Sequence, residues 1–383
     1  MNLKPETLEA LISFRKLLHA HPEVSGNESN TAAWVAAYLQ ALNPTRIQCG
    51  LDCQGLIAVF DSGNSGETIV FRAELDALPI TEINDFEHRS RVEGVSHKCG
   101  HDGHTTILLG LAHCLVEHPP EKGKVVLLFQ PSEETGEGAA AVLKESFFQE
   151  LKPDLIFGLH NLPGFPKHEL LIKDGAFTAS VSSLVIKLKG KTAHAAEPEN
   201  GINPAQAVAE ILLQMQLWSD NRPEEEDFKL ITPVHVELGS IAYGVSAGAA
   251  ELRFTLRTWT PAQMQRLKDQ IKEFLVRIKE AHRLGVDFHY TEEFSATHNN
   301  PEATNTIRMA GAQLGLNLKE LEQSFKWGED FGLFTQYFKG AFFGLGAGEK
   351  HPALHNPDYD FPDELIPTGI SLFYEIYRRH LRV

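Results

Sequence analysis

Apolar residues recur at helical spacing from Pro5 to Leu18, at Leu8, Leu11, Ile12, Phe14, Leu17 and Leu18. The spacing predicts an amphipathic helix that stops before Pro22. A second helix is predicted over Asn30–Leu42, with Asn30 or Thr31 near its start. Apolar runs bounded by turn residues predict strands at Gly55–Asp61, Thr68–Arg72, Lys124–Gln130, Asp154–Leu159 and Ala341–Gly346. A hydrophobic run beginning at Ile107 predicts a buried helix, and Glu302–Leu314 and Pro362–Arg382 predict two more. Buried strands alternating with helices imply an α/β domain with a mostly parallel sheet.

The pattern changes near residue 180. Val181–Lys189 alternates apolar and polar residues, as a half-exposed antiparallel strand does. A helix (Pro204–Trp218), two strands (Thr232–Gly239, Ala249–Trp259), a long helix (Pro261–Arg283) and a strand (Val286–Thr291) follow. That order is βαββαβ, the ferredoxin-like arrangement. Residues 180–293 are therefore read as a small α+β domain inserted into a larger one built from 1–179 and 294–383.

The length of 383 residues agrees with two domains. The formal net charge of −16 argues against nucleic-acid binding, which draws its affinity from basic patches. No run is apolar enough to span a bilayer, and the first residues lack the pattern of a signal peptide. Four cysteines (Cys49, Cys53, Cys99, Cys114) in so long a chain fit free or packed thiols in a reducing compartment, and a cytoplasmic location is expected.

The candidate chemistry sits where predicted strands end. His97-Lys98-Cys99-Gly100-His101-Asp102-Gly103-His104 is read as a loop opening the helix that follows. In an extended segment Cys99 and His101 point to one side, and a thiolate with an imidazole suits zinc and its neighbours. Glu74 and Asp76 follow one strand, Glu133 and Glu134 leave the next, and His160 ends a third. Strand ends on one edge of an α/β sheet are where active sites collect. His19 and His21 are read as exposed polar residues at a helix end, and His97, His104 and His351 as structural.

These segments together resemble the amidohydrolase branch of the aminoacylase/carboxypeptidase-type zinc peptidases. The resemblance rests on Leu18-His19-x-x-Pro22-Glu23, Arg72-Ala73-x-Leu75-Asp76-Ala77-Leu78-Pro79-Ile80 and Cys99-Gly100-His101-Asp102-Gly103-His104. It continues through Phe129-Gln130-Pro131-x-Glu133-Glu134, Gly158-Leu159-His160, His194-Ala195-Ala196-x-Pro198, Glu329-Asp330-Phe331 and His355-Asn356-Pro357. It implies a metal-dependent amidohydrolase in which Cys99, His101, Glu134, His160 and His355 hold two divalent ions, zinc or else manganese or cobalt. Glu133 would be the general base toward metal-activated water, Asp76 would orient the metal ligands, and His194 would donate to the developing oxyanion. The substrate would be a small N-acyl amino acid, and the inserted domain would form a lid and a homodimer contact.

Two positions and one segment depart from the branch: Glu74 in place of Asp, Glu199 in place of His, and Gly244-Val245-Ser246-Ala247 in place of an Asn-containing segment. They leave the metal chemistry intact and bear on which substrate is taken. A dipeptidase or carboxypeptidase on the same scaffold is the nearest alternative reading, and a non-catalytic metal-binding protein is the second.

Overall fold

The computed structural model describes residues 3–50 and 54–382, so Cys53 lies outside the described residues. The chain forms two compact units, one of residues 1–177, 297–322 and 329–383, the other of 178–296 and 323–328.

The larger unit is built on an eight-stranded sheet. Its strands lie in the order Arg46–Cys49, Leu56–Asp61, Lys124–Gln130, Thr68–Glu74, Leu155–Pro163, Lys339–Gly348, Leu170–Ile172, Leu318–Glu320. Lys124–Gln130, Thr68–Glu74, Leu155–Pro163 and Lys339–Gly348 run parallel at the centre, and the pair at the Arg46 edge is antiparallel. The central strands are apolar almost throughout because both faces are covered. The helix His101–Glu117 and the final helix Leu365–Leu381 pack on the sheet and share its core with Phe71, Phe129, Phe343 and Phe373. Their close approach needs glycine: a Cβ on Gly110 would stand 2.1 Å from Ile370 Cδ1.

The smaller unit is a four-stranded antiparallel sheet in the order Lys229–Leu238, Ala249–Thr258, Ser180–Lys189, Gly285–Phe294. With helices Ala205–Trp218 and Pro261–His282 this is the ferredoxin-like order expected from the βαββαβ pattern. The long helix starts with Pro261 after Thr260, whose hydroxyl accepts the Gln263 N–H. Its apolar face, Met264, Leu267, Ile271, Phe274, Leu275 and Ile278, is buried against the sheet.

Several expectations need correction. His101, Asp102 and His104 belong to the first turn of the helix, not to a loop before it. His160 lies inside the strand Leu155–Pro163, which continues past it. His19 is fully buried and is not an exposed helix-end residue. The strands Arg46–Cys49, Leu170–Ile172 and Leu318–Glu320 are only four, three and three residues long, too short for a periodic pattern to stand out from the loops around them.

Candidate metal centre

The site lies within the larger unit, where its parallel strands end. Thr68–Glu74 and Lys124–Gln130 pair in parallel, so Glu74 stands opposite Gln130 and the chain leaves both strands toward the same side. Asp76 follows one strand, and Glu133 and Glu134 follow the other. His160 arrives from the neighbouring parallel strand. Cys99 and His101 arrive from the start of the helix.

The convergence of Cys99 with His101 does not come from an extended segment. Gly100 between them is left-handed, with φ of 92°, a conformation that favours glycine. A Cβ there would meet Asn161 Oδ1 at 2.4 Å. The turn starts the helix directly after Cys99 and swings the imidazole back toward the thiol.

Cys99, His101 and His160 each bring one ligand atom to within 4.8 Å of the others, and so do Cys99, Glu134 and His355. The two triplets share the Cys99 sulfur, which joins all five residues in one cluster. Cys99 Sγ is 3.4 Å from His160 Nε2, and Glu134 Oε1 is 3.6 Å from His355 Nε2 and 3.9 Å from His101 Nε2. Glu133 joins from the side, its Oε2 3.8 Å from His101 Nε2. Cys99, His101, His160 and Glu133 are buried, whereas the His355 side chain is 52% exposed.

The donor set fits divalent cations. His101 Nε2 and Glu134 Oε1 are buried without a hydrogen-bond partner among the described residues, a costly state for groups that nothing else satisfies. His101 Nδ1 donates to the Asp76 carbonyl at 2.9 Å, and His160 Nδ1 donates to the Asn161 carbonyl at 2.8 Å. Each bond turns the Nε2 lone pair toward the cluster, as metal-binding histidines require. Charge points the same way. Burial, with the charges of Glu134 and Glu133, pushes the Cys99 thiol well above its ordinary pKa. Burial would lower His101, but the bond to Asp76 and the charges of Glu74, Asp76 and Glu134 outweigh it and hold the ring at about 10. Cys99 and His101 thus hold protons tightly, whereas burial pushes His160 well below its ordinary value; a cation competes for the same lone pairs.

The carboxylates around the cluster have separate attachments. Asp76 is fully buried and accepts from Ser25 Oγ at 2.7 Å and from the Glu134 N–H at 2.9 Å, and its Oδ1 is 3.3 Å from His101 Nδ1. Burial would raise its carboxyl, yet the His101 contact holds it below the usual range. Burial and the charges of Glu329, Glu134 and Asp330 push Glu133 well above its ordinary value.

Sequence reasoning missed the layer behind these residues. Glu74 does not face a substrate space: it is buried, paired with Arg72 and 2.8 Å from His104 Nδ1. His104 Nε2 lies 2.6 Å from Asn161 Oδ1, next to His160. Arg72 also donates to Glu329 at 2.8 Å and Asp330 at 2.7 Å, and Asp330 caps the Ala139 N–H at 2.8 Å. Glu28 accepts the Ser132 N–H at 2.7 Å. Carboxylates from three distant segments therefore pin the turn that carries Glu133 and Glu134. The motif around Arg72 and the Glu329-Asp330 pair were visible in the sequence, but only their shared ion cluster explains them. His97 is buried as well, and burial pushes its ring down to about 4. His351 is half-buried, its Nε2 2.6 Å from the Asp360 carbonyl.

His194 belongs to the smaller unit, where Ala193–His194 pairs with Val245–Ser246. Its exposed ring accepts the Ala196 N–H at Nδ1, at 3.1 Å, which leaves Nε2 as the protonated, donating nitrogen of the neutral ring. The Gly244–Ala247 segment is thus the strand that flanks His194, and Ser246 Oγ accepts from Asn203 Nδ2 at 3.0 Å. Glu199 is exposed in the turn Pro198–Asn200.

Fold and site together define a metal-dependent hydrolase of amide bonds, a mostly parallel α/β unit interrupted by an α+β insertion. Residues 70–379 match the profile of peptidase family M20/M25/M40, and the chain belongs to that family. It is 32% identical over 367 residues to an N-acetyldiaminopimelate deacetylase of Listeria monocytogenes, covering 95% of this chain and 98% of that protein. Among solved structures, the Bacillus subtilis YXEP protein, a dinuclear metal-binding peptidase of the M20 family, superposes with a TM-score of 0.82 at 28% identity, covering 98% of each chain. A putative aminohydrolase from methicillin-resistant Staphylococcus aureus shares the fold, with a TM-score of 0.85 at 24% identity over 98% of each chain.

Proposed function

We propose that this chain hydrolyses the amide bond of small N-acyl amino acids, with Cys99, His101, Glu134, His160 and His355 holding two divalent ions. The observation that carries this reading is the meeting of those five residues around the Cys99 sulfur with Glu133 beside them. Sulfur, imidazole and carboxylate donors together admit zinc, manganese or cobalt. Ions bound there would lower the pKa of a water and polarise the amide carbonyl.

The remaining work falls to the chain. Glu133 takes the proton of the attacking water on its carboxylate and returns it to the leaving nitrogen, a task suited to a carboxyl group with a raised pKa. Asp76 fixes the His101 ring and the Glu134 backbone. His194 Nε2–H donates to the oxyanion that develops on the carbonyl oxygen. The deacetylase name of the Listeria relative supports an acylated amino acid as substrate, with N-acetyldiaminopimelate first among those to test.

The protein acts as a homodimer through its smaller unit, in the cytoplasm. Support comes from the strand Lys229–Leu238, which is an open sheet edge, and from apolar residues left in solvent: Val234 at 59%, Leu217 at 78% and Tyr243 at 100% exposure. The free thiols Cys49, Cys99 and Cys114 fit a reducing compartment.

The test is a substrate panel, N-acetyl and N-benzoyl amino acids against dipeptides, with the chelated protein reloaded separately with zinc, manganese or cobalt. Turnover of the N-acyl series only with a divalent ion is expected. Cleavage confined to dipeptides would replace this reading with a dipeptidase.

A further inference from the structure

Of the five residues proposed to hold metal, His355 is the least supported by packing. Its side chain is half in solvent, and its own backbone is left-handed, with φ of 65°, a conformation disfavoured for a residue with a Cβ. Something outside the turn must hold it there. The structure assigns that task to one buried residue, Lys98, which holds the near end of the turn by its main-chain carbonyl and the far end by its ammonium.

Lys98 grips the 355–359 segment at both ends. Its carbonyl accepts the His355 N–H at 2.7 Å. Its ammonium donates to the Tyr359 carbonyl at 2.7 Å. Few lysines are fully buried without a partner, and this one, with no exposed surface, pairs with Glu82. Glu82 is itself fixed by His19 Nε2 at 3.1 Å and by the Ser90 N–H at 2.6 Å. The anchor is therefore rigid before it reaches the turn. Its neighbours complete the hold: Asn84 Nδ2 donates to the Asp358 carbonyl at 3.1 Å and the Ile83 N–H to the Pro357 carbonyl at 3.2 Å. Lys98 also directly precedes Cys99, so one residue ties the shared sulfur to the outlying imidazole.

We propose that Lys98 is a positioning residue for His355, and that through the 355–359 turn it sets the affinity of the ion to which His355 contributes. The inference rests on the two-ion reading given above. Loss of a group that orients a metal ligand typically costs about 10–100-fold in metal affinity.

The experiment is calorimetric titration of the chelated full-length protein with manganese(II). The wild type is expected to take up two ions. Lys98→Met is expected to take up one with unchanged affinity and the second about 10–100-fold more weakly. Since Lys98→Met strands the Glu82 charge, the pair Lys98→Met/Glu82→Gln removes both charges and is expected to show the same loss in a folded protein. His355→Ala weakens the same ion, and adding Lys98→Met to it is expected to cause no further loss, because the lysine acts through the histidine. A Lys98→Met protein with wild-type affinity for both ions, or losses that multiply in the combined variant, would overturn the inference while leaving the two-ion reading intact. A wild type that takes up fewer than two ions refutes that reading, and this inference with it.

Discussion

Asp76 accepts the backbone N–H of Glu134 through Oδ2 at 2.9 Å, across 58 residues of sequence. Its other oxygen lies 3.3 Å from His101 Nδ1. One carboxylate thus orients two proposed ligands on different elements, the first by its backbone and the second by its ring. Asp76→Ala is expected to weaken divalent-metal binding about 10–100-fold. Equilibrium dialysis against manganese(II) measures this, and unchanged binding would remove Asp76 from the ligand-orienting role.

Glu133 reaches the cluster but is proposed to keep its carboxylate for proton transfer. Glu133→Gln is expected to lower turnover about 10²–10⁴-fold while the bound metal per chain stays the same. A variant that loses metal together with activity would make Glu133 a ligand instead.

Arg72 is buried among Glu74, Glu329 and Asp330. Replacing it by methionine leaves three buried carboxylates without their cation. Breaking a buried ion pair from one side costs about 3–5 kcal/mol, so Arg72→Met is expected to lose stability of that order in urea unfolding. A loss under ~1 kcal/mol, the range of an exposed pair, would show that the cluster is stabilised by other contacts.

His19 gives stability a pH dependence. Burial alone would lower its pKa, but its contacts with Asp102 and Glu82 raise it from 6.5 to about 9. The folded chain therefore binds more protons than the unfolded chain between those values. The contribution, roughly 3 kcal/mol, is present in full below pH 6.5 and is lost as the pH rises through about 9. Denaturation midpoints should fall across that interval in the wild type and flatten in His19→Gln. Equal slopes in the two proteins would assign the dependence to another group.

The open edge at Lys229–Leu238 leads to a prediction about assembly. Val234 and Tyr243 are 59% and 100% exposed, and lysine at both positions places like charges in a self-complementary contact. Light scattering is expected to give a dimer for the wild type and a monomer for Val234→Lys/Tyr243→Lys. Identical masses for the two would move the contact elsewhere or abolish it.

Much was legible from the sequence because it depends on local periodicity. Apolar runs marked the central strands, alternation over Val181–Lys189 marked a strand that proves half-exposed only at its Lys187–Lys189 end, and the order of elements gave the ferredoxin-like insertion. The residue types of the proposed metal cluster were legible too, since thiol, imidazole and carboxylate at strand ends carry their chemistry with them. Tertiary structure alone decided how they meet. Cys99 and His101 converge through the left-handed Gly100, a backbone state that no hydrophobic pattern encodes. His19 is buried because Asp102 and Glu82 arrive from other segments to compensate it. Spacing gives Arg72, Glu329 and Lys98 no partners; folding removes water and leaves each needing one distant in sequence. The cost of burying a charge is set by its surroundings in space, and one-dimensional spacing carries no record of them.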